Sequence, residues 1–208
     1  MLNIITLCAR HTLHTYTIML DPAGDAKQTG RVIEDSLERA ITIQYAHQLQ
    51  EAIESFLPNS TVIITRSPGE VVHPFQNANY SNRLPTDLYV SIHFFHDPEA
   101  KPILYLYQFS LGDTFITRSF DLAMVPYDKA HQVSGAKTTE YAKKIAGNLM
   151  LKEYQSAFTT KGPFQLPYTP LIGIKAPAIG LEMNLVDKND WHRYVEPIAR
   201  SIVMALEQ

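Results

Sequence analysis

Apolar and polar positions along this chain alternate between two periods, short β-branched runs and longer stretches of helical spacing. Tyr16 to Leu20 reads as a short buried strand stopped by Asp21-Pro22. Across residues 37–57, Leu37, Ile41, Tyr45, Leu49, Ile53 and Phe56 recur as one apolar face of a helix. Thr61 to Thr65, Asp87 to His93 and Ile103 to Tyr107 supply three further strands. Ala136, Tyr141, Ala142, Ile145 and Leu149 mark a second helix, and Val195, Ile198, Ile202 and Leu206 a closing one. Between those helices, Gly162 to Pro177 carries four of the thirteen prolines and reads as a rigid connector with a short extended piece around Ile172. Ala178 to Met183 is the last buried strand. Residues 111–132 have no periodicity and read as an insertion or long loop over one edge of the sheet. Strands alternating with helices predict an α/β fold: a mainly parallel twisted sheet of about six strands with helices on both faces. No repeat or second core interrupts residues 1–208, so one domain is expected.

Composition narrows the functions open to such a domain. Charged residues are 19% of the 208 and the formal charge is −3, with no long basic run. A phosphate-binding face, and hence nucleic acid, is not expected. Cys8 is the single cysteine, which leaves no internal disulfide and no thiolate zinc cluster. No stretch reaches the roughly 20 apolar residues of a membrane span. Residues 2–8 are apolar but lack a basic leader, and His11 and His14 follow too closely for a typical signal peptide. A cytoplasmic chain, or a mature one whose leader was removed, is the expectation from that end.

In open α/β sheets ligands bind beyond the carboxyl ends of the strands, and Asp21, His93 and Glu182 fall at or near such ends. His93 closes Leu88-Tyr-Val-Ser-Ile-His93, where imidazole suits either a metal or a backbone-satisfied core position. His96 follows in a loop and is expected to be exposed. Glu38 opens the long helix; Asp35-Ser-Leu-Glu38 fits a capping box, and a first-turn carboxylate can equally reach a metal at the sheet edge. Glu182 interrupts an apolar strand, where an unpaired carboxylate is costly. It needs a partner, whether a metal-bound water for which it is the general base or an ion pair with Lys175. Tyr105 and Tyr107 fit plain strand alternation.

Taken in order, these pieces resemble the zinc-dependent N-acetylmuramoyl-L-alanine amidases of bacterial cell-wall metabolism, from about Tyr16 to the end. Ile18-Met-Leu-Asp-Pro-Ala-Gly-Asp-Ala26 stands for that family's opening Asp-Pro-Gly-His-Gly-Gly. Glu38-Arg-Ala-Ile-Thr-Ile follows, then Val62-Ile-Ile-Thr-Arg66, Ala78-Asn79, Asp87-Leu-Tyr-Val-Ser-Ile-His93 and Pro177-Ala-Ile-Gly-Leu-Glu182. The resemblance implies Glu38 and His93 as zinc ligands and Glu182 as catalytic base. Gly24 stands where the family has its first histidine, and Asp25 beside it is the candidate substitute metal ligand. After Glu182 the chain has Asn184-Leu-Val-Asp187 in place of the family's Gly-Phe-x-(Ser/Thr)-Asn. The resemblance therefore implies a periplasmic or cell-envelope protein with a degenerate site, its zinc weakened or lost, whose partners are peptidoglycan fragments or a cell-envelope protein. An active site of this kind hydrolyses the amide between N-acetylmuramic acid and L-alanine. An inactive one leaves a pseudo-amidase that binds or regulates.

Overall fold

The computed structural model describes residues 14–73, 75–111 and 125–207. Among these residues, eight strands and four α-helices run in the order β1 (Tyr16–Pro22), β2 (Val32–Ile33), β3 (Ser36–Leu37), α1 (Glu38–Phe56), β4 (Ser60–Ile64), α2 (Gln76–Ser81), β5 (Leu88–His96), β6 (Ile103–Phe109), α3 (Gly135–Leu149), β7 (Thr159–Leu166), β8 (Ala178–Leu185) and α4 (His192–Leu206). Six of the strands form one sheet in the order β4-β1-β5-β8-β6-β7, and β2 pairs with β3 in a small hairpin. All contacts in the large sheet are parallel except β6 against β8.

Side-chain alternation distributes the core. Ile18 and Leu20 of β1, Val90, Ile92 and Phe94 of β5, and Leu181 and Met183 of β8 share one face, which packs on α1, α3 and α4. The helical spacing read from Ile41, Tyr45, Leu49 and Ile53 is the stripe α1 buries there, and Tyr45 meets Phe94 edge to face at 5.2 Å. Each fully buried aliphatic or aromatic side chain contributes roughly 1.5–3 kcal/mol, so this layer dominates the stability of the fold. On the other face, Met19, Tyr89, Phe109 and Ala178 pack on Ala78 of α2 and on Leu171 and Ile174. That second layer is thin, and it leaves the carboxyl ends of β1, β5 and β8 accessible.

One expectation changes, and a second lies largely outside the described residues. Gly162 to Pro177 is not connector throughout: its start belongs to β7, an edge strand, while Thr169–Leu171 is a 3₁₀ turn and Ile172 lies outside any strand. Proline is tolerated at an edge, and the register shifts between Tyr105 and Tyr107 opposite Gly162-Pro163. A Cβ on Gly162, at φ +109°, would sit 2.4 Å from the Leu106 carbonyl oxygen, so only glycine lets the two backbones approach there. The unpatterned stretch 111–132 lies partly outside the described residues, from 112 to 124. Its end forms a 3₁₀ turn, Tyr127–Gln132, held to α2 by the Tyr127 hydroxyl, which donates to Asn79 Oδ1 at 2.6 Å.

Candidate active site

Crossing from β4 over β1 to β5 makes the end of β1 a switch point, where open parallel sheets leave a crevice. The β1–α1 connection, residues 23–37, borders it. A cleft of about 390 Å³ there is lined by Asp21, Glu38, Arg66, His73, Asn77 and His93 among others.

Glu38 is the first residue of α1 and only 3% exposed. The capping box is not formed. Leu37 is the N-cap, and the first free N–H groups of the helix, on Glu38 and Arg39, donate to the Arg31 and Thr29 carbonyls. Asp35 instead faces outward to Lys188 at 2.7 Å. The Glu38 carboxylate is thus released toward the cleft. Its Oε2 accepts the Arg31 backbone N–H at 3.0 Å, Oε1 accepts the Phe94 N–H at 3.0 Å, and Oε1 lies 3.5 Å from His93 Nδ1. Burial raises its pKa, but these donors prevail and hold it below the ordinary glutamate value.

The β5–β8 register sets His93 directly beside Glu182. His93 Nε2 is hydrogen bonded with Ser91 Oγ at 3.0 Å, and its ring meets Tyr168 edge-on. Glu182 is paired, though not with Lys175: Arg31 donates to its Oε1 at 2.6 Å and the Tyr107 hydroxyl to its Oε2 at 3.0 Å. Burial, with the adjacent carboxylate, pushes the Tyr107 phenol well above its usual range, so it stays protonated and donates. His96 is half-buried, its Nδ1 bonded to the Leu185 carbonyl. The structure brings Glu38 to His93 and sets His93 beside Glu182, the three residues read from the sequence. Sequence reading missed Arg31 and Tyr107, of which only Tyr107 left a signal, being on the same alternating face as its neighbour across the sheet.

Asp25 is buried at the cleft wall, and its oxygens are already engaged. Oδ1 accepts the N–H groups of Lys27 and Gln28, and Oδ2 that of Val72. The Gln28 N–H is the main reason its pKa lies below the usual value. Gly24 has φ +77°, and a Cβ there would come within 2.8 Å of Arg39 Cβ, so this backbone has no room for a side chain at that position. Arg66 fixes the same loop, donating to the Pro22, Ala23 and Arg39 carbonyls. His14 pairs with Asp87 at the amino end of the sheet, away from the cleft, and His11 lies outside the described residues. Among the described residues no three His, Cys, Asp or Glu side chains lie close enough to hold a metal ion. With Glu182 bonded to Arg31 and Tyr107, Glu38 and His93 are left as two donors where a catalytic zinc uses three, and as arranged these residues do not fit it.

A six-stranded α/β sheet with carboxylates and a histidine beside its switch point forms the kind of crevice in which open α/β sheets bind ligands. The model of one family, N-acetylmuramoyl-L-alanine amidase, matches residues 18–204, and the chain belongs to that family. Solved structures agree in fold. The catalytic domain of CwlV, an N-acetylmuramoyl-L-alanine amidase from Bacillus (Paenibacillus) polymyxa var. colistinus, superposes with a TM-score of 0.61 at 19% identity, over 92% of this chain and 98% of that one. Ami1 from Mycobacterium smegmatis gives 0.64 at 14% identity, covering 92% and 97%. The CwlD amidase of Clostridioides difficile, solved with the GerS lipoprotein, gives 0.59 at 18%, covering 92% and 96%. No curated protein matches the sequence.

Proposed function

We propose that this chain is a peptidoglycan-directed member of the amidase family that acts at the cell envelope by binding its ligand without hydrolysing it. The observation that carries this reading is the state of Glu182. A general base must turn a carboxylate lone pair toward its water, and each donor bound to that carboxylate competes for it. Here one oxygen is bonded to the Arg31 guanidinium at 2.6 Å and the other to Tyr107 at 3.0 Å. Two donors in place of a three-ligand set support the same reading. The cleft beside Glu38, His93 and Glu182 then holds a muropeptide, or a protein of the envelope, by shape and hydrogen bonds.

The second reading is a working hydrolase whose zinc site is completed by a substitute ligand. One observation favours it: Glu38, His93 and Glu182 converge at one mouth, with His93 and Glu182 opposite each other in register. In that case zinc would supply the Lewis acid and the activated water, Glu38 and His93 would hold it, and Glu182 would take the water's proton. The two readings part in one assay. Purified chain is mixed with isolated sacculi, with and without added zinc, and both sedimented protein and newly freed alanine amino groups are measured. Binding without amine release is the expected result. Amine release that disappears in Glu182→Ala would overturn the binding-only reading.

A further inference from the structure

We propose that Arg31 is the built-in cation of this cleft: its guanidinium supplies the positive charge that the Glu38–His93–Glu182 cluster would otherwise draw from a divalent metal, and thereby keeps such metals off it. The inference rests on the reading of this cleft as a binding site that works without zinc, and it names what replaces the metal.

Two carboxylates converging on a partly buried cleft need positive charge or several donors. Arg31 provides both from a single residue. Its backbone N–H donates to Glu38 Oε2 at 3.0 Å, and its guanidinium donates through Nη2 to Glu182 Oε1 at 2.6 Å. Nη1 donates to the Phe94 carbonyl at 3.0 Å, and the N–H of Phe94 in turn donates to Glu38 Oε1. Arg31 and Phe94 therefore bracket Glu38 from both sides, and the guanidinium is tied to this frame by two bonds. A guanidinium does not give up its proton in proteins, so this charge is permanent. The other cations nearby are committed elsewhere: Arg66 to loop carbonyls, Arg39 to the Asp25 carbonyl, Lys188 to Asp35. Among the described residues none of them bonds Glu182.

The arrangement opposes metal binding in two ways. A divalent ion brought to Glu182 would have to displace the arginine from its best partner. It would also sit a few ångströms from a fixed positive charge, a repulsion that falls directly on its affinity. The Arg31 side chain is about half exposed, at 49%, so truncating it opens the cleft without hollowing the core.

Zinc binding alone tests this. Chain stripped with EDTA is titrated with zinc chloride, by calorimetry and by bound metal after gel filtration, for wild type, Arg31→Ala, Arg31→Lys and Arg31→Ala with His93→Ala. Expected are no stoichiometric site in wild type, a single site in Arg31→Ala at least about tenfold tighter than any residual wild-type binding, and its loss when His93 is also removed. Arg31→Lys, which keeps the charge, should resemble wild type. Equal zinc affinity in wild type and Arg31→Ala overturns the proposal, whether both bind or neither does. So does a gain that survives His93→Ala, or an Arg31→Lys that binds as well as Arg31→Ala. Thermal melts of each variant in EDTA verify folding. Sedimentation with sacculi reads the proposed function separately: a zinc gain in Arg31→Ala from a chain that never sediments sinks that reading and leaves this one standing.

Discussion

Replacing Glu38 with alanine separates a structural carboxylate from one kept only for metal. In the folded chain this side chain is 3% exposed and accepts two backbone N–H groups, from Arg31 and Phe94, each at 3.0 Å. Alanine leaves both donors without their acceptor. A buried donor stripped of its partner costs about 1–3 kcal/mol. The Phe94 N–H is buried and bears that cost in full, whereas the Arg31 N–H, nearer the cleft, is partly rescued by water. The expected loss is therefore about 2–5 kcal/mol, which for a domain of this size lowers the melting temperature by at least about 4 °C. Urea melts of wild type and Glu38→Ala, both in EDTA, measure it. Working in chelator is what makes the test sharp, because a residue whose only task is to hold zinc would leave the stripped protein unchanged. A difference below about 1 kcal/mol would refute the reasoning. The pH dependence gives a second check. Glu38 has its folded pKa depressed below the ordinary 4.5, its donors outweighing burial. Its contribution is thus present above that value and is lost as pH falls through the lower, folded one. The gap between wild type and Glu38→Ala should narrow on acidification below 4.5.

Two further substitutions probe the walls of the cleft. Asp21 runs the opposite way from Glu38: burial raises its pKa above 3.8, despite hydrogen bonds from Tyr89 and Thr65. Its protonated form is the one the fold prefers, so its favourable contribution is present below 3.8 and lost as pH rises. Relative to wild type, Asp21→Asn should gain stability between pH 3 and pH 7 in urea melts, and a trend in the other direction would count against the assignment. Arg66→Lys keeps the charge but cannot reach the Pro22, Ala23 and Arg39 carbonyls together. With two or more of these bonds gone the expected loss is about 2–4 kcal/mol by denaturation, and a loss within about 0.5 kcal/mol would mean the 22–25 loop is held by something else.

What the sequence disclosed, and what it hid, divide along physical lines. β1, β5 and β8 are buried on both faces and read as apolar runs, and α1, α3 and α4 bury one stripe each and read as helical periods. β7 has mostly exposed or half-exposed residues and a Gly-Pro pair within it. An edge strand is specified by its neighbour's unpaired backbone more than by its own side chains, so it carried no pattern to read. The hairpin of β2 and β3 has only two residues in each strand, too few for any period.

The site divides in the same way. Glu38, His93 and Glu182 were legible because each is a polar residue opening or interrupting an apolar element, where leaving it without a partner would be costly. Which partner it has was not legible. Arg31 lies 151 residues from Glu182 in the chain and meets it only because the β1–α1 connection folds back across the ends of β5 and β8. Lys175 is near in sequence and lies on another loop, its backbone bonded to Asn82. Position 24 shows the converse. The resemblance read from the sequence sets a histidine against Gly24, but the backbone makes that glycine a commitment. With φ at +77° and Arg39 Cβ 2.8 Å from any added Cβ, a histidine placed there has to rebuild the loop before it can reach the cleft. The closed turn at Gly24 and the guanidinium beside Glu182 thus belong to one connection. Once the loop closes without a metal donor, the carboxylates it faces need another cation, and the same connection carries one seven residues further on.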